Sequence, residues 1–295
     1  MKVGIAGIGR MGAAIAERLL KHGHTVTVWN RTLAKAQALE QHGATVAATP
    51  AELAAGSEIV LSILTDAGAI AATYDGLQGL LSGDVVDTLF VEMSTVRPET
   101  QRALAGRVRA KGAAIIDCPV GGTTGPARDG KLLGFVGGSA VDLDRARPVL
   151  EQLCRRIEHV GPSGAGASLK LAINLPLLVY WQACAEALAL CQPLGLDPAR
   201  VVDIFADTSG GPNVLKTRGP LLAAALGGKT PDQVTFDIDS IRKDLATMIE
   251  EGRALGYDLP VTAQALQCFD VASKAGLGKG DAVMLPVSWL KKKGR

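Results

Sequence analysis

Lys170 and Asn174 are the only charge and the only amide in residues 161–175, GPSGAGASLKLAINL. A spacing of four puts both on one face of a helix. An ammonium held among apolar side chains loses hydration, which favours release of its proton, so Lys170 can act as an acid toward an oxygen that is gaining charge. The plainer readings are a lysine snorkelling from a helix start and an asparagine satisfied at a helix interface. Other proton carriers are scarce. His22, His24, His42 and His159 all precede this stretch, the first three flank the second apolar run, and the H-x-H at 22–24 has no third metal ligand.

A second signature begins at the seventh residue. Gly7-x-Gly9-x-x-Gly12 follows the apolar run VGIA and opens a helical pattern. Gly7 allows a tight turn, Gly9 lets a pyrophosphate approach the backbone, and Gly12 lets helix and strand pack closely. The expected ligand is a dinucleotide held by Gly7, Ile8, Gly9, Arg10, Met11 and Gly12 at a helix N-terminus. The second β-rich run ends Trp29-Asn30-Arg31-Thr32, without the carboxylate that usually takes a ribose 2′-hydroxyl. Arg31 can pair with a 2′-phosphate, and Asn30 and Thr32 can donate to it, which favours NADP(H) over NAD(H). Leu64 and Thr65, at the end of the 59–64 run, join the cofactor set.

These residues need a frame. β-rich runs at 3–6, 25–29, 59–64, 89–93, 113–117 and 132–138 alternate with helical patterns at 11–21, 33–42, 50–55, 98–111 and 142–153, which predicts a mostly parallel sheet covered on both faces. From 166 to 192 one long helix is expected, so poor in charge that it must be buried nearly all round, with a kink at Pro176. Helices at about 198–207, 212–226, 238–256 and 260–275 follow, with proline opening two of them. The expected fold class is α/β: an N-terminal Rossmann dinucleotide-binding domain, residues 1–162, then an all-helical domain, residues 163–295, beginning with a long interdomain helix.

Composition narrows the partners. Among 295 residues, 31 basic against 29 acidic side chains and 4% aromatics argue against a nucleic-acid surface. The KKKGR at 291–295 reads as a solvated tail. Five cysteines without a C-x-x-C fit reduced thiols in the cytoplasm, with Cys184 and Cys191 as small core residues. The N-terminus does not form a signal sequence, and no uninterrupted apolar run is long enough to predict a membrane span.

Five segments resemble the β-hydroxyacid dehydrogenase family of 3-hydroxyisobutyrate dehydrogenases and semialdehyde reductases: GIGRMG (7–12), MSTVRP (93–98), DCPVGGTTGPARDGKL (117–132), GAGASLKLAIN (164–174) and RKDLATM (242–248). The resemblance implies that Lys170 gives a proton to the substrate carbonyl oxygen and that Asn174 orients lysine or substrate. It further implies that Ser94 and Thr95 lie beside the nicotinamide ribose, and that Lys243 closes over cofactor and substrate from the helical domain. It also implies a homodimer or homotetramer bridged by the long helix. The family's D-A-P-V-S-G-G becomes Asp117-Cys118-Pro119-Val120-Gly121-Gly122-Thr123, so the serine that donates to a substrate carboxylate is absent. Backbone N–H groups of Gly121 and Gly122 can still hold an anion, and Thr123 offers a hydroxyl two positions later. The expected activity interconverts a small hydroxy acid and its oxo acid or semialdehyde, as an NADPH-dependent reductase. An imine reductase and a non-catalytic NADP-binding scaffold are the competing readings. Asn213, Lys216 and Arg218 either line the substrate mouth or cap a helix.

Overall fold

The computed structural model describes residues 1–291, so of the basic tail only Lys291 is included. Two compact units divide the chain, Met1–Leu171 and Ala172–Arg295.

In the first unit, β1 (Lys2–Ala6), α1 (Arg10–Lys21), β2 (Thr25–Trp29), α2 (Leu33–Gln37), β3 (Thr45–Val46), α3 (Pro50–Ala55), β4 (Ile59–Ser62), α4 (Ala67–Asp75), β5 (Leu89–Glu92), α5 (Pro98–Ala110) and β6 (Ala114–Asp117) alternate. They build a parallel sheet ordered β3-β2-β1-β4-β5-β6. After β6 come β7 (Val120–Gly121), α6 (Thr124–Asp129), β8 (Leu132–Gly137), α7 (Ala140–Leu153) and β9 (Cys154–Gly161). β8 runs antiparallel to β6 and β7, and β9 joins it in parallel. The strands are apolar on both faces because helices cover both. Ile5, Leu61, Val91 and Ile116 pack with Ile15, Leu19 and Leu150 on one side. Val60, Phe90 and Ile115, one residue out of phase, pack with Leu53, Tyr74 and Leu104 on the other. Each such fully buried side chain contributes about 1.5–3 kcal/mol of burial free energy.

The 33–42 pattern ends early: α2 stops at Gln37 and a 3₁₀ turn covers Glu40–His42. α8 (Ala165–Cys191) runs unbroken through Pro176. It is not buried all round. Leu171, Asn174, Leu178, Trp181, Ala185 and Leu188 form a buried stripe, whereas Ile173 is 41% and Leu190 82% exposed. Counted to Leu194, this helix is long and apolar enough to cross a bilayer. Lys170, Asn174 and Glu186 interrupt its apolar run, and the buried stripe is what the core helix of a globular fold presents.

The second unit continues with α9 (Pro198–Ala206), α10 (Asn213–Leu226), α11 (Ile238–Ala254), α12 (Pro260–Ala272) and α13 (Met284–Lys291). Asp237 caps α11 by accepting Ser240 N–H at 2.8 Å. Arg242 of α11 bonds Asp270 of α12 at 2.6 Å. Cys184 is buried, but Cys191 is only half-buried and lines a groove of about 320 Å³ with Leu196, Val201 and Leu226.

Candidate active site

The sheet reverses direction of growth between β1 and β4, and ligands of such sheets bind at the strand C-termini beside that point. The glycine loop sits there. Gly7 has φ 101°, and a Cβ on it would lie 2.2 Å from the Ile63 carbonyl oxygen. A Cβ on Gly12 would lie 2.0 Å from the Gly7 carbonyl oxygen, so strand and helix touch through two glycines. A Cβ on Gly9 would meet nothing within 4 Å. Gly9 also begins α1 with no side-chain cap, which leaves N–H groups and the positive helix end facing that open space. These residues fit a dinucleotide diphosphate.

Asn30 holds the loop. Its Oδ1 accepts Ile8 N–H at 3.0 Å and its Nδ2 donates to the Thr32 carbonyl at 2.9 Å. Arg31 and Thr32 are exposed beyond it. Past β4, Leu64 is half-buried and Thr65 exposed, where Thr65 donates to Asp66, the cap of α4.

Ser94 is only 2% exposed. Its hydroxyl accepts Leu64 N–H at 2.7 Å and donates to Glu92, so it ties the ends of β4 and β5 together. Glu92 is fully buried and also accepts from Ser94 N–H and from Gln101 of α5. Ser62 bridges Glu92 and the Tyr74 hydroxyl. Desolvation pushes the Glu92 carboxyl up to about 7 against the pull of these hydrogen bonds, and Asp117 adds to the rise. Sequence reasoning passed over Glu92 and Gln101. A lone acid inside the apolar run LFVEM was the available signal. Thr95, next to Ser94, is half-buried.

Beyond β6, Gly121 pairs with Leu133 across β7 and β8, and Gly122 takes φ 125° where a Cβ would press on Leu132 at 2.7 Å. Thr123 is half-buried and begins α6 without spending its hydroxyl as a cap. Lys170 is 8% exposed in the second turn of α8, and Asn174 follows one turn on, 5% exposed. The spacing thus puts a buried ammonium and a buried amide on one side of one continuous helix.

In the second unit, the Lys243 ammonium lies 2.5 Å from Asp244, which is 3% exposed. Arg218 is bound to Asp281 at 2.5 Å and to Thr235, and Asp281 also accepts Thr235 N–H at 3.0 Å. Arg218 is therefore a structural cation that closes the turn before α11. Asn213 is the first residue of α10.

A dinucleotide cradle on a doubly covered parallel sheet, followed by a helical unit, defines an NAD(P)-dependent oxidoreductase. Residues 2–161 match the profile described as the NAD-binding domain of 6-phosphogluconate dehydrogenase. Residues 164–287 match that of the NAD-binding domain of NADP-dependent 3-hydroxyisobutyrate dehydrogenase. The chain is 34% identical to a 3-hydroxyisobutyrate dehydrogenase of Pseudomonas aeruginosa, over 92% of each chain. It superposes with TM-score 0.84 on the Mycobacterium tuberculosis 3-hydroxyisobutyrate dehydrogenase solved with L-serine, at 26% identity over 97% of this chain and 98% of that one. A reductive aminase of Aspergillus terreus, solved with NADPH and ethyl levulinate, gives 0.64 at 26% identity over 96% and 97%. The chain belongs to the β-hydroxyacid dehydrogenase family and acts on CH–OH groups.

Proposed function

We propose that the protein is an NADPH-preferring reductase of a small aldehyde or oxo acid that carries a nearby anionic group. The observation that carries this reading is Lys170, a cation 8% exposed on an apolar helix with Asn174 one turn away. Bound NADPH supplies the hydride, and the chain's residues do the rest. Lys170 gives its proton to the carbonyl oxygen and stabilises the charge developing there; in the oxidative direction it takes the proton back. Asn174 orients Lys170 or the substrate. N–H groups of Gly121 and Gly122, with Thr123, receive the substrate anion, and Lys243, steadied by Asp244, adds a second cation for it. Ile8, Arg10 and Met11 with the three glycines hold the diphosphate, and Leu64, Thr65 and Thr95 flank the nicotinamide ribose. We assign Asn30 and Ser94 to shaping that site, because their polar atoms are engaged within the chain.

The absence of a carboxylate after β2 and the exposed Arg31 support NADPH. The exposed side of α8 supports a homo-oligomer, and we place the enzyme in the cytoplasm with no membrane or nucleic-acid partner. The domain boundary is assigned to the loop before α8, residues 162–163.

The test is NADPH oxidation against a panel of short oxo acids and semialdehydes, with cyclic imines and NADH in parallel, for wild type and Lys170→Ala. Turnover of an anionic carbonyl that is lost in Lys170→Ala, with NADPH still bound, supports the proposal. Faster reduction of imines than of any oxo acid overturns it, since an ammonium repels an iminium.

A further inference from the structure

Asp117 has no part in the reading above, yet its side chain is 2% exposed and both oxygens are spent. Oδ1 accepts Gly164 N–H at 2.7 Å and Oδ2 accepts Ala167 N–H at 3.0 Å, with Gly166 N–H as a further donor. These are donors at the start of α8, which a helix leaves unsatisfied. A capping side chain usually comes from the residue just before the helix. This one comes from the end of a strand, 47 positions earlier than Gly164.

Space around the carboxylate is made by glycines. A Cβ on Gly137 would lie 2.5 Å from Oδ1, and one on Gly166 would lie 2.8 Å from Oδ2 and 2.2 Å from the Phe135 carbonyl oxygen. Helix start and strand end therefore meet closely, with the carboxylate between them. In the other direction along the chain, Asp117 leads directly into the Cys118–Thr123 segment. That segment is fixed in turn, as Cys118 donates to the Glu92 carbonyl at 2.7 Å and Pro119 accepts Phe135 N–H at 3.1 Å. One side chain thus joins the strand end that carries Gly121–Thr123 to the helix start that carries Lys170, one turn beyond Ala167.

We propose that Asp117 is a positioning residue for the reaction: by capping α8 from the end of β6, it sets Lys170 in register with the Gly121–Thr123 segment. The proposal rests on Lys170 being the proton donor. Asp117→Asn keeps the shape but puts an NH2 group where one N–H needs an acceptor, so the helix start must move.

The experiment measures kcat, KM for the oxo substrate and NADPH Kd in wild type, Asp117→Asn, Asp117→Ser and Lys170→Ala, with turnover counted per NADPH-binding molecule. The expected result for Asp117→Asn is a kcat loss of about a hundredfold, the cost of a displacement of about 1 Å, with KM changed far less and NADPH Kd unchanged. Asp117→Ser, which keeps one capping oxygen, is read in the same way should the asparagine variant not fold. A lower melting temperature with wild-type turnover per NADPH-binding molecule overturns the positioning role and leaves Asp117 a structural cap. If Lys170→Ala turns over normally, the proton-donor reading itself fails, whatever the Asp117 variants do.

Discussion

Glu92 and Asp117 are register partners across β5 and β6, so two buried carboxylates end neighbouring strands side by side. Hydroxyl, amide and backbone donors compensate both. Burial raises the carboxyl of each above its ordinary range.

This has a pH consequence for Glu92. Its folded value, about 7, lies above the ordinary 4.5, so the folded chain holds the proton more tightly than the unfolded chain. The stabilisation is fully present below the ordinary value and is lost as pH rises through about 7, on the order of 3 kcal/mol in all. Glu92→Gln should remove about one proton from the pH dependence of unfolding in that window. Denaturant melts at a series of pH values measure it, and an unchanged slope refutes it.

Gly9 and Gly12 should separate binding from folding. A methyl on Gly9 enters open space, so Gly9→Ala should melt like wild type but bind NADPH weakly. A methyl on Gly12 meets the Gly7 carbonyl at 2.0 Å, so Gly12→Ala should lower the melting temperature as well. Calorimetric titration and thermal melts distinguish the two, and equal stability of both variants would contradict the packing argument.

Arg31→Glu should reverse the cofactor preference. A charge-assisted contact to a 2′-phosphate is worth about 1.5–3 kcal/mol, so the NADPH-to-NADH ratio of kcat/KM should fall by about tenfold or more. A ratio that does not move removes Arg31 from the cofactor site.

Arg218→Ala should destabilise the helical unit. It leaves the Asp281 side chain, 0% exposed, as an uncompensated buried charge, at a cost of about 3–5 kcal/mol. Urea unfolding reads this directly. A loss under about 1 kcal/mol would mean that Thr235 and backbone donors suffice.

Leu190→Glu tests the uncovered side of α8, where Leu190 is 82% exposed. Sedimentation should show a smaller species than wild type if that face joins copies of the chain. An unchanged mass moves the interface elsewhere.

Short continuous apolar runs made the central strands legible, and glycine spacing pointed to the cofactor loop. The missed elements lacked such patterns. β9, CRRIEHVG, is mostly half-buried or exposed, and the adjacent pairs Arg155-Arg156 and Glu158-His159 break any apolar run that would mark it. α4 is rich in alanine with no polar face, and β3 has two residues. Candidate site residues stood out where chemistry depends on residue type, as at Gly9 or Lys170. Burial was not legible where an exposed and a buried residue look alike on paper, as with Ser94, Glu92 and the second face of α8.

Gly121 and Gly122 differ in a way that matters for descent. Gly122 has a left-handed φ and no room for a methyl, so it is locked as glycine. A Cβ on Gly121 would meet Leu133 and Phe135 at 3.5 Å, an ordinary contact, in a backbone conformation any residue can adopt. Position 121 can therefore acquire or lose a small side chain without moving Asp117 or the helix it caps. Under the function proposed above, single codon changes at this one residue would let substrate range drift in this lineage while the helix that carries Lys170 is inherited intact.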